Sequence, residues 1–62
     1  MDKHELMKIQ IKTIKRASHR MGSQAALARE LNIYPQSLNR YYVGVRKLPL
    51  NLYLEMQKIL ED

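Results

Sequence analysis

Gln24-Ala-Ala-Leu-Ala-Arg-Glu-Leu-Asn-Ile-Tyr-Pro-Gln-Ser-Leu-Asn-Arg-Tyr41 is the stretch whose reading decides the fold of this chain. Its first half holds strong helix formers, Ala25, Ala26, Leu27 and Ala28, with an apolar face of Leu27, Ala28 and Leu31. The spacing predicts a helix over 24–31. Ser23 precedes it and suits an N-cap, because its hydroxyl can accept a backbone N–H of the next turn. Asn32 follows, and asparagine enters the left-handed conformation more readily than most residues, so a tight turn is expected there. Pro35 fits the first turn of a new helix, where its missing N–H costs nothing. That helix is expected to end at Tyr42 or Val43, with Leu38 and Tyr41 turned inward and Gly44 as its stop.

Working outward, residues from 3 to 19 or 21 read as a long amphipathic helix. Leu6, Met7, Ile11, Ile14, Ala17 and Met21 fall in one stripe of a 3.6-residue period, with Ile9 outside it and Gln10 inside it. Lys8, Lys12, Lys15 and His19 line the opposite side, with Arg16 beside them. Gly22 is the expected end of this helix. Beyond Gly44, residues 45–49 read as a loop, and a fourth helix over 50–60 would turn Leu52, Met56, Ile59 and Leu60 inward. Nothing alternates over four or more residues, and no Asn-Gly or Asp-Gly hairpin turn occurs. The expectation is an all-α fold, a compact four-helix domain covering 1–62.

The chain has 62 residues and a formal charge of +5. From Lys8 to Lys47 there are nine Lys or Arg residues and a single acid, Glu30; the other acids, Asp2, Glu5, Glu55, Glu61 and Asp62, lie in the flanks. A charge block of this kind suits a polyanion-binding face. With no cysteine, neither disulfides nor thiolate metal sites can contribute. No apolar run approaches the roughly 20 residues that span a bilayer. The charged start, Met1-Asp2-Lys3-His4-Glu5, does not lead into a signal-peptide core. A soluble, cytoplasmic protein is expected. His4 and His19 are too isolated for a metal site, and no nucleophile–base pair, paired carboxylates or glycine loop suggests catalysis or a cofactor. Ser18, Ser23 and Ser37 have simpler places, as surface, cap and outer-face residues.

Two short helices across a turn of three or four residues, with small Ala28 at their crossing and Ile33 and Leu38 setting the angle, make the geometry of a helix-turn-helix. The outer face of the second helix carries Gln36, Ser37, Asn39 and Arg40. Arginine pairs with guanine edges, and glutamine or asparagine with adenine edges.

At these residues the sequence resembles the lambda-repressor-like, Cro-type helix-turn-helix family of phage and bacterial regulators. The matching positions are Gln24, Ala28, Ile33, Leu38 and Tyr41. A second match follows in register: Tyr41-x-x-Gly44-x-Arg46-x-x-Pro49 looks like the Trp-x-x-Gly-x-Arg-x-x-Pro segment of small Cro-like proteins. Together they cover residues 22–60. The resemblance implies contacts to bases or the adjoining backbone from Gln36, Ser37 and Arg40; Asn39 lies on the same face and is expected to read bases with them. The resemblance also implies phosphate contacts from Gln24, at the start of its helix, and from Arg46 and Lys47 in the following loop. Three positions depart from the pattern. Asn32 stands where glycine is usual, and Tyr41 where tryptophan is usual. Tyr34 replaces the serine or threonine cap, and its ring can instead reach a phosphate or a thymine methyl.

The function so implied is sequence-specific binding of double-stranded DNA by a transcriptional regulator, a repressor, with no small-molecule substrate. Proteins of the family it resembles commonly bind as homodimers; any dimer of this chain would use helical surface or form on DNA, because the chain ends at Asp62 with no tail to form a dimerising strand. Leu50, Tyr53 and Leu54 suit either that interface or the core. The first-helix cations read either as an ordinary solvated face or as extra contacts to flanking phosphates. A membrane-surface helix fits poorly, since the core needs its apolar stripe. The alternative from another class is a protein-interaction module, an accessory regulator or antitoxin-like partner on the same scaffold.

Overall fold

Three residues with positive φ, Gly22 (101°), Asn32 (58°) and Gly44 (83°), divide the chain into its helices. The computed structural model describes residues 3–61; Met1 and the flanking acids Asp2 and Asp62 lie outside the described residues. Among the described residues there are four helices and no strand: α1 Lys3–Met21, α2 Gln24–Glu30, α3 Pro35–Tyr42 and α4 Leu50–Glu61.

Each break has a local cause. The Ser23 hydroxyl accepts the Ala26 N–H at 3.0 Å and caps α2. At the other end of α2, Leu31 is the C-cap, one residue earlier than the apolar pattern suggests. Asn32 then turns left-handed, so that its N–H reaches the Arg29 carbonyl (3.1 Å) and the Ile33 N–H reaches the Ala28 carbonyl (3.0 Å). That pair of bonds satisfies the last carbonyls of the helix. The same device closes α3: the Gly44 N–H bonds the Tyr41 carbonyl and the Val45 N–H bonds the Arg40 carbonyl. In α1, Glu5 in the first turn and His19 and Arg20 in the last complement the helix dipole.

The core consists of Ile14, Ala17, Leu27, Ala28, Leu31, Leu38, Leu48, Leu52 and Met56. Helix α1 lies at the centre. Helices α2 and α3 pack on each other and on α1, whereas α4 packs on α1 alone. Buried Ala17 and Ala28 present no side chain beyond Cβ, which allows the helices to approach closely. The Cα radius of gyration, 10.6 Å, equals the about 10.6 Å expected of a compact chain this long. No described helix is long and apolar enough to cross a membrane.

The structure corrects three sequence readings. Leu6, placed in the inward stripe, is 48% exposed. Leu48 is held at Gln10 and Leu60 lies beside Arg16 and Arg20, so α4 follows the later part of α1 and no helix covers Leu6. Leu48, read as loop, is a core residue. Ser18, read as surface, has a buried hydroxyl with no hydrogen-bond partner.

Candidate functional site

The rotation of α3 about its axis is set by Leu38, which is fully buried, and by Tyr41 and Tyr42, which pack half-buried against the core. With 100° per residue, Gln36, Asn39, Arg40 and Val43 then occupy the opposite arc, and all four are exposed. Ser37 sits at the margin, half-buried, apart from the other three residues expected beside it. Val43 was not singled out by sequence because it reads as the helix end. Its side chain is 56% exposed and adds an apolar contact to an otherwise polar surface. Paired amide and guanidinium groups on one arc can each form two parallel hydrogen bonds to a flat edge that offers neighbouring donors and acceptors.

The start of α2 joins this arc. Gln24 Nε2 donates to Asn39 Oδ1 at 3.5 Å, the long end of the hydrogen-bond range, linking the two helices at their exposed edge. The bond uses neither the Asn39 amide N–H groups nor the Gln24 carbonyl oxygen. Tyr34 precedes α3 in extended conformation, makes no side-chain cap and is 77% exposed. With Ala25, Arg29, Asn32, Ile33 and Pro35 it lines a shallow cleft over the α2–α3 turn. An exposed tyrosine ring beside an arginine is an unusual investment in a surface turn and is available to a ligand.

Arg46 and Lys47 are exposed on the loop between α3 and α4. What holds this loop is Gln10, a buried residue of α1. Its Nε2 donates to the Tyr41 and Arg46 carbonyls, both at 2.8 Å, and its Oε1 accepts the Leu48 N–H at 2.7 Å. One side chain thus anchors the end of α3, the backbone of Arg46 and the entry to α4. Gly44 sits against the same helix: a Cβ there would meet Met7 Sδ at 3.2 Å, in a backbone conformation that disfavours side chains. Sequence reasoning missed the role of Gln10, although a polar residue inside an apolar stripe was the signal for it.

Of the eight residues expected to bind, six are exposed, on α3, the α2–α3 turn and the following loop, and Gln24 and Ser37 are half-buried. No group of three or more His, Cys, Asp or Glu able to hold a metal ion occurs among the described residues. Compared with known proteins, the chain matches no family model, no curated protein and no solved structure.

Proposed function

We propose that this protein is a sequence-specific double-stranded DNA-binding transcriptional regulator, acting as a repressor through a helix-turn-helix formed by α2 and α3. The observation that carries the reading is the outer arc of α3. Gln36, Asn39 and Arg40 stand exposed there, while Leu38 at the back of the same helix is fully buried. The resemblance to the lambda-repressor-like family, which rests on Gln24, Ala28, Ile33, Leu38, Tyr41 and the Gly44–Pro49 segment, supports it.

In this reading α3 enters the major groove and α2 crosses the backbone. Arg40 takes a guanine edge, Gln36 and Asn39 take adenine edges, Ser37 reaches from the margin, and Val43 meets a thymine methyl. Gln24, Tyr34, Arg46 and Lys47 bind phosphates and fix the register. The rigid attachment of Arg46 through Gln10 suits that task, because a pre-set phosphate ligand loses less freedom on binding. Leu50 and Leu54, 71% and 51% exposed one turn apart on α4, offer the helical surface for a homodimer.

The test separates the two kinds of contact. Arg40→Ala should cost about 1–3 kcal/mol of affinity for the preferred site and relax discrimination at one base position. Lys47→Ala should weaken all duplexes alike and flatten the salt dependence by about one unit of slope. Binding titrations of both variants at two salt concentrations check this. An Arg40→Ala loss that is equal on every sequence would remove its base-reading role.

A further inference from the structure

We propose that the outward face of α1 is a second phosphate-backbone site, which holds a stretch of nucleic acid other than the one on α3, so that one molecule can bridge two duplex segments. Lys8, Lys12, Lys15, Arg16, His19 and Arg20 are all exposed on this helix. No acid occurs between Lys8 and Arg20 in the chain. Lys8, Lys12, Lys15 and His19 form a row about 16 Å long at 1.5 Å per residue. Like charges three and four residues apart repel and disfavour the helix, so a face without interleaved acids is a cost to α1 by itself. The outer face of α4 shows the ordinary alternative, with Glu55, Lys58 and Glu61 mixing both signs. No ion pair of these α1 cations occurs among the described residues. Lys12, Lys15, Arg16, His19 and Arg20 line one open groove, walled on its far side by Leu60 of α4.

Direction separates this groove from α3. Gln10 binds the carbonyls of Tyr41 and Arg46, and Met7 and Ile11 flank Gly44, so that side of α1 looks toward the end of α3. At 100° per residue Lys12 and Arg16 lie about 100–180° around the helix from those residues, and Lys15 about 40–140°. Helices α1 and α3 pack against each other, so the far side of α1 faces away from α3. A short duplex seated on α3 cannot also fill the α1 groove. Phosphate is a better occupant than an acidic polypeptide. Protein interfaces are depleted in lysine at their centres and depend on buried aromatic or aliphatic anchors, and here only half-buried Leu60 borders the cations. The planar forks of Arg16 and Arg20 suit phosphate oxygens.

Bridging rests on the proposed role of α3; the α1 site does not, and the experiment separates them. An immobilised duplex no longer than the α3 site is loaded with the full-length protein and offered a second, labelled duplex. The variants are Lys12→Gln/Lys15→Gln/Arg16→Gln, whose three positions are exposed, and Arg40→Ala; circular dichroism checks that both stay folded. The expected result is capture of the labelled duplex by the wild type and a loss of about tenfold or more in the triple variant. Loading on the immobilised duplex should stay within about twofold and keep its salt slope. Capture undiminished in the triple variant overturns the proposal and assigns bridging to a dimer with two α3 faces. A triple variant that loads poorly with a flattened salt slope, when Arg40→Ala also loads poorly, overturns it too, by placing these cations on the first duplex. So does competition by polyglutamate as effective as by duplex, which points to an acidic protein partner. If Arg40→Ala changes nothing while the triple variant abolishes all duplex binding, the α3 reading falls and the α1 site stands.

Discussion

Gln10 shows how far one buried side chain can reach. Its amide makes three hydrogen bonds to backbone spread from Tyr41 to Leu48, with both donors and its acceptor engaged. Gln10→Leu keeps the apolar stripe of α1 but leaves the Arg46 carbonyl and the Leu48 N–H without partners, while the Tyr41 carbonyl keeps the Gly44 N–H. Stability should fall by about 2–4 kcal/mol in urea unfolding, since each orphaned buried group costs of order 1–3 kcal/mol. Duplex affinity should fall with it, because the Arg46 backbone loses its anchor. An unchanged unfolding midpoint would mean that the loop holds itself. Ser18 is the opposite case, a buried hydroxyl without a partner inside a helix. Ser18→Ala should raise stability by about 0.5–1 kcal/mol, through helix propensity and removal of the unpaired group; a loss would show that the hydroxyl is bonded. A polar residue inside an apolar stripe marked Gln10 but not the atoms it binds, and nothing marked Ser18. Periodicity reports which face of a helix a residue occupies. It does not report which distant backbone atoms lie there.

At the scale of elements, the α2–turn–α3 unit was the most legible part of the molecule. Ser23, Asn32 and Pro35 act locally, and each does in the structure what its own chemistry predicts: hydroxyl cap, left-handed turn and first helical residue. Asn32→Ala should lower stability by about 1 kcal/mol and Asn32→Gly should leave it equal or higher, because only the former places an unassisted Cβ at φ 58°. Thermal unfolding of the two variants checks the order, and its reversal would show that the turn relaxes to another conformation. Helix α4 was legible in its inward residues, since Leu52 and Met56 are buried and Ile59 and Leu60 pack on the core. Its direction along α1 was not, and that decides why Leu6 is uncovered while Leu48 is buried. The places of Leu6 and Leu48 depend on where helices meet, which local patterns do not encode.

For the molecule as a whole, the concentration of positive charge between Lys8 and Lys47 is plain in the sequence, but its division is a property of the fold. Arg40 stands on the exposed arc of α3 and Arg46 and Lys47 on the loop after it, whereas Lys12, Lys15, Arg16 and Arg20 line a groove with Leu60 of α4. The candidate binding residues on α3 were legible because Leu38 marks the buried side of a short helix. Val43 was missed because the helix end was judged from Gly44 and not from the exposed arc. The proposed function requires base discrimination from the α3 arc, with the remaining cations supplying affinity that falls as salt rises. The most direct test is selection of bound sequences from a random double-stranded DNA pool at physiological salt. The account predicts an enriched motif, with half-sites about 10 base pairs apart if the protein binds as a dimer. Retention of DNA without any enriched motif, or no retention at all, would contradict it.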